Sequence, residues 1–407
     1  MVNEVERLGL VPRTEVGPMN VAIDCAKRIG RIREQMERID IDLLIGTRIV
    51  SVTFASGAFV PWRAAVLISR DGDLELINFL IDHERVKAES WLDRVTAYAP
   101  VPGMDMLDIV LRQIKAGRWD KGRIGVELGH SPRGNTGYLT STEFDLLKAG
   151  LPEATFVNAV AVIDRAGYVK DPEEIAMMRQ AAAMADSAIA RVGESLEGGM
   201  TEAEVAGIGE MELRRLGSEY HWAVTGSTEA ASGYRTAYPM CGTTQPTDKI
   251  LQPGDPVLVD FHPLYRTFTS DVSHNFFLGK PNREQQKLAD AYLRAAETLV
   301  ARLKAGSTVG QVWQAVHDNL TKSGYIQYAV PFFGHGLGVL GYEWYPPIAN
   351  SDEYRGVILE ENVVEVGFLS ITVPGVGGLR LECPVRVTPS GGEPLASTPL
   401  AVTVLDL

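Results

Sequence analysis

Four carboxylates set in apolar, strand-like stretches constrain this chain more than any other feature. Glu365 sits in VVEVGFL and Glu382 in LRLEC; Asp260 ends VLVD and Asp271 opens DVSHNFFLG. An ionised carboxylate taken out of water is costly unless it is paired, hydrogen-bonded or bound to a metal. Asp260 and Asp271 are eleven residues apart, on two strands joined by a tight connection. On antiparallel neighbours, two such side chains can face one point. His335 stands between glycines in GHGLG, where the backbone can approach closely and the imidazole is unobstructed. Each residue alone has an ordinary explanation. An aspartate at a strand end is commonly a turn or cap residue. A histidine in a glycine-rich loop is commonly solvated. Glu365 or Glu382 could be the partner of a buried arginine such as Arg380. Taken together they point to cations, because four carboxylates carry a charge that two divalent ions would balance. Oxygen donors with one imidazole suit Mn, Co, Fe or Zn. A bridging hydroxide would complete a pair of ions about 3.5–4 Å apart.

The chain around this set has 407 residues, which predicts two domains. The first part alternates helix and strand. Residues 22–38 carry Ile23, Ala26, Ile29, Ile32 and Met36 at helical spacing. AAVLIS and LELINF flank the turn Asp71-Gly72-Asp73 and read as a hairpin. Further helices are expected over 104–116 and 142–149, and strands at IDLLIG and RIGVEL. The interleaving predicts an α/β domain with a mixed sheet. Lys170-Asp171-Pro172-Glu173-Glu174 is a helix start, and Thr201 with Glu204 forms a capping box for the next helix. The boundary therefore falls near 165–170, giving domains 1–168 and 169–407. The second domain reads as two helices, strands around Asp260 and Asp271, helices near 282–304 and 308–323, and two last strands holding Glu365 and Glu382.

Composition excludes several classes. The formal charge is −13, so binding of nucleic acid through a general basic face is not expected. Three dispersed cysteines, Cys25, Cys241 and Cys383, form neither a disulfide framework nor a CxxC zinc site. No apolar run is long enough to span a membrane, and the first residues lack the apolar core of a secretory signal. A cytoplasmic protein is expected.

The order Asp260, Asp271, His335 in GHGLG, Glu365 and Glu382 resembles the pita-bread metallohydrolases, which include creatinase, prolidase, aminopeptidase P and methionine aminopeptidase. IDLLIGTRIVSVTFASG is similar to the creatinase-type N-terminal domain, KDPEEIAMMRQAA to the opening of the catalytic domain, and GGLRLECPVRVTPSGGEPL to its closing segment. The resemblance implies a creatinase-like α/β domain followed by a pita-bread domain holding two divalent metals. Carried over by motif, Asp260 would ligate one metal, His335 and Glu365 the other, with Asp271 and Glu382 bridging. Glu365 would also relay the proton from water to the leaving nitrogen, and Arg380 would orient Glu382. Creatinase itself works without metal and lacks the complete set, so the set here implies a metal enzyme.

The departures are as informative. The peptidases carry a histidine upstream of the first aspartate, where this chain reads GYRTAYPMCGTTQPT, and another after GHGxG, where it has Tyr342 in GYEWYPP. The resemblance thus implies metal chemistry without efficient Xaa-Pro cleavage, and Tyr342 as a substitute donor to the oxyanion. EWYPP is similar to a side branch that includes a dimethylsulfoniopropionate lyase. His262 stands where the family has glycine. Two residues after Asp260 on a strand, it points to the same face and could approach metal or substrate; His274 is a comparable case. His221, Tyr234, Arg235 and Trp62 are further candidates for contact with substrate. The expected activity is hydrolysis of a C–N bond in a small molecule or short peptide. The alternatives are a lyase acting on a small zwitterion and an inactive binding module. A homodimer is implied, with the apolar loop 54–63 (Phe54, Phe59, Trp62) closing over the partner's pocket.

Overall fold

The computed structural model describes residues 23–129, 137–219, 228–238, 245–341 and 345–406. They fall into two compact units that divide between Tyr168 and Val169. No helix among the described residues is long and apolar enough to cross a membrane.

The first unit is built on one mixed sheet. Its strands are β1 (Leu43–Gly46), β2 (Ala65–Ser69), β3 (Leu74–Phe79), β4 (Val95–Tyr98), β5 (Arg123–Val126) and β6 (Thr155–Asn158), ordered β4-β3-β2-β1-β5-β6. β2 and β3 form the expected antiparallel hairpin, while β1–β5, β5–β6 and β3–β4 are parallel. The helix Cys25–Arg38 starts on an Asp24 cap and buries Ile29, Ile32 and Met36. The helix Met106–Ala116 places Ile109, Val110 and Ile114 against the sheet. The expected apolar loop 54–63 is a correction. Ile49–Ser56 is a helix, and Phe54 and Phe59 are buried within their own unit. Only Trp62 stays open, at 40% exposure, with its edge against Phe79. Arg63 is held by Glu143 at 2.8 Å.

The second unit contains two four-stranded sheets. One comprises β7 (Thr228–Ser232), β8 (Pro256–Phe261), β11 (Val272–Leu278) and β16 (Thr403–Leu405), ordered β16-β11-β8-β7; the short hairpin β9 (Leu264–Tyr265) and β10 (Phe268–Thr269) joins β8 to β11. The other comprises β12 (Gly334–Gly336), β13 (Val364–Val373), β14 (Gly377–Thr388) and β15 (Gly391–Pro394), in that order. Helices Pro172–Ser195 and Glu202–Arg215 begin at the two predicted capping boxes. Their residues Met184, Ala188, Val192, Val205 and Leu213 share a core with Val257, Val259, Phe261, Val272, Phe276 and Leu278. Strand alternation then assigns the opposite face to Leu258, Asp260, Ser273 and Asn275. That face looks toward β14: Asn275 Nδ2 donates to the Arg380 carbonyl at 2.7 Å, and the Glu382 N–H donates to Ser273 Oγ at 2.7 Å.

β14 is also tied to the segment after β7. Gly378 N–H donates to Thr236 Oγ1 at 2.8 Å, and a Cβ at Gly378 would lie 1.8 Å from the Thr236 carbonyl oxygen. Gly378→Ala is therefore expected to destabilise by about 1–3 kcal/mol or more, because backbone must move to admit the methyl. Urea unfolding with an unchanged midpoint would contradict this packing.

Candidate metal centre

Register sets the centre's geometry. β8 and β11 pair antiparallel with Asp260 opposite Ser273 and Phe261 opposite Val272. One further step sets His262 opposite Asp271, at the open end of the ladder. His262 Nε2 lies 3.2 Å from Asp271 Oδ1, 3.8 Å from Asp260 Oδ1 and 3.9 Å from Glu382 Oε2. Asp260, His262, Asp271 and Glu382 each offer a ligand atom, and these atoms all lie within 4.8 Å of one another. The strand alternation that placed His262 beside Asp260 in the sequence thus brings the imidazole into the middle of the carboxylates.

Arg380 organises this group from behind. Its guanidinium is 2% exposed, and Nη1 donates to Glu229 at 2.7 Å, to Asp260 Oδ2 at 2.8 Å and to Glu382 at 3.4 Å. It was expected to orient Glu382, yet its shortest bonds are to Glu229 and Asp260. Glu229 lies directly across β7–β8 from Asp260, so two carboxylates stand side by side with the cation between them. Asp260 is fixed through Oδ2, while its buried Oδ1 receives no hydrogen bond among the described residues.

The charges respond to burial and to one another. Burial pushes the Asp260 carboxyl up to about 6, although His262 pulls the other way. Burial also drives Glu382 well above the usual carboxylate range, reinforced by Asp260 and Asp271. Burial opposes ionisation of Asp271 as well, but His262 and a proton donated by Glu382 hold it far below that range. Burial disfavours charge on His262, yet Asp271 and Asp260 raise it to about 10. The upward shifts of Glu382 and His262 share one cause, negative charge crowded into a dry site, which a bound cation would relieve.

His335 borders the cluster. Its Nδ1–H donates to the Gly336 carbonyl at 3.0 Å, which leaves Nε2 facing Asp271 Oδ2 at 3.8 Å. Glu365 does not join, and this is the principal correction. On β13–β14, Glu382 pairs with Phe368, whereas Glu365 pairs with Val385. Three residues separate 382 from 385, so Glu365 lies on the other face of the sheet. That face carries Gly367, where an added Cβ would touch Leu299 of the helix Arg283–Arg302. Burial raises the Glu365 carboxyl well above its ordinary value, and the opposing charge is Lys170, not the cluster. Phe368 takes the cluster face instead and stacks on Phe332 at 5.0 Å.

The remaining candidates separate clearly. His274, one residue off the site face, bonds Thr403 Oγ1 at 2.8 Å, and burial lowers it to about 4. Arg235 is taken up by Glu202 at 2.8 Å and by the Gln245 carbonyl at 2.7 Å. Tyr234 is exposed and lies edge-on to Tyr238. Tyr342, His221 and Cys241 lie outside the described residues. Glu229 escaped the sequence reading, because TEAAS has too little apolar character to announce a buried strand.

Comparison with known proteins agrees with this architecture. The family model for metallopeptidase family M24 matches residues 176–389, and that for the creatinase/prolidase N-terminal domain matches residues 28–166. The chain is 27% identical over 372 residues to the Xaa-Pro dipeptidase of Pyrococcus furiosus, covering 91% of this chain and 98% of that one. The prolidase structure from Pyrococcus horikoshii superposes with a TM-score of 0.77 at 25% identity, covering 92% of this chain and 99% of the other. The Xaa-Pro dipeptidase structure from Bacillus anthracis, at 24% identity and a TM-score of 0.80 over 94% of this chain and all of its own, shares the fold. With over half of its length matched, across the unit that carries the carboxylate–imidazole cluster, the chain belongs to metallopeptidase family M24 and is a metal-dependent hydrolase.

Proposed function

We propose that the chain hydrolyses a C–N bond, peptide or amide, in a small substrate, using water activated at the cluster of Asp260, His262, Asp271 and Glu382. The convergence of three buried carboxylates and an imidazole within 4.8 Å carries this reading. The orphaned Oδ1 of Asp260 fits a cation there. A divalent ion so held lowers the pKa of a bound water and polarises an acyl oxygen. The protein groups supply orientation and proton transfer. Arg380 and Glu229 fix Asp260 from behind. His335, oriented by its bond to Gly336, takes the proton-carrying role expected of Glu365, since its Nε2 faces the cluster. The Phe332–Phe368 stack limits water on the cluster face. Tyr342 and His221 remain proposed contacts to substrate. A cytoplasmic homodimer is proposed on the family resemblance, and the exposed Trp62 fits a partner contact.

Elimination from a small zwitterion is the second reading, favoured because no histidine occurs between Gly233 and Thr247. A screen of metal-loaded protein separates the two. Ordinary Xaa-Pro dipeptides are expected to turn over with kcat/KM below about 10⁴ M⁻¹s⁻¹, and another small amide to turn over faster. Efficient cleavage of a series of Xaa-Pro dipeptides would contradict the substrate reading. Lysis of a zwitterion with no amide hydrolysed would favour elimination.

A further inference from the structure

We infer that this centre takes a single divalent metal with His262 as its nitrogen ligand, and that Glu365 holds no second one. The inference rests on the metal-dependent reading above, but not on which bond is cleaved.

Spacing supports direct ligation. Four ligands in a tetrahedron at about 2.0–2.2 Å from an ion stand about 3.4 Å from one another. His262 Nε2 stands 3.2, 3.8 and 3.9 Å from oxygens of Asp271, Asp260 and Glu382. Those separations suit donors around one ion, so the imidazole occupies a ligand position instead of merely flanking the site. The oxygens are presented correctly. Asp260 is anchored through Oδ2, leaving the buried Oδ1 turned to His262. Glu382 has Oε1 toward Arg380 and Oε2 toward His262. Backbone register fixes the imidazole itself, because residue 262 continues the site face of β8 opposite Asp271.

Both oxygens of Glu365 are buried without a hydrogen bond, as Asp260 Oδ1 is, but among the described residues no other ligand atoms group with them to hold a second ion. Its expected carboxylate, Glu365, lies on the helix-facing side of β13. The site-facing position opposite Glu382 is Phe368, an apolar ring packed on Phe332. His335 would remain, sharing Asp271 with the first ion. Three carboxylates and one imidazole on a single ion favour Zn, Co or Fe over Mg or Ca.

The full chain, stripped of metal and titrated with Co(II), tests this by elemental analysis and visible absorption. Saturation is expected at about one ion per chain. His262→Ala should weaken cobalt binding at least about tenfold and change the absorption bands, while Glu365→Gln should alter neither capacity nor spectrum. X-ray absorption at the cobalt edge of the unmutated protein needs no variant and should show imidazole bound to the ion. Two ions per chain with one lost in Glu365→Gln, or cobalt binding unchanged by His262→Ala, overturns the inference and leaves the hydrolase reading standing. Failure to bind cobalt at all overturns both.

Discussion

Asp271→Ala should leave the purified protein without bound metal and lower kcat/KM by roughly 10³-fold or more. Asp271 has an oxygen directed at each imidazole: Oδ1 at His262, 3.2 Å away, and Oδ2 at His335, 3.8 Å away. Its removal takes an oxygen ligand from the cluster and leaves both histidines without their closest anion. Metal polarisation and water activation together supply several kcal/mol of transition-state stabilisation, and each 1.36 kcal/mol is about tenfold in rate. Elemental analysis alongside the kinetics checks the cause, and circular dichroism checks that the variant folds. A folded variant with full metal content would contradict the assignment of Asp271.

Arg380→Ala is expected to destabilise the metal-free protein by about 3–5 kcal/mol, the usual result of removing one partner from a buried ionic network. The guanidinium is 2% exposed and bonds Glu229 and Asp260 at 2.7 and 2.8 Å. Without it, two carboxylates facing one another across β7–β8 are left in a dry interior. Adding Glu229→Gln removes one of those charges, so the double variant should recover part of the loss. Urea unfolding of the three proteins measures both effects. A loss below about 1 kcal/mol for Arg380→Ala would show that water reaches the site and shields these charges.

Most of the architecture was legible because local signals and packing agree. The caps at Asp171 and Thr201 start helices where the sequence placed them. The turn at Asp71-Gly72-Asp73 closes the predicted hairpin. The shared face of Asp260, His262 and Asp271 follows from the β8–β11 register, since a two-residue period and a short connection determine which side chains lie together. Glu365 shows where this reasoning ends. VVEVGFL establishes that Glu365 is buried, but the face it occupies depends on pairing with β14. A residue an odd number of places away in that register points to the opposite side. Phe368, in the same run, gives no chemical signal in the sequence and yet stands across from Glu382. The helix Ile49–Ser56 was hidden by its own composition. IVSVTFAS is rich in β-branched residues, which favour strands in isolation, and nearly all of it is buried, so tertiary packing decides. Glu229 emerges only when β7 is seen beside β8.

Anomalous diffraction from a cobalt-loaded crystal tests the central claim most directly. The account predicts one anomalous peak per chain, bounded by Asp260 Oδ1, His262 Nε2, Asp271 and Glu382, with Glu365 directed away from it toward the helix Arg283–Arg302. A peak lacking His262 in its coordination, a second peak ligated by Glu365, or no peak within the cluster would contradict it.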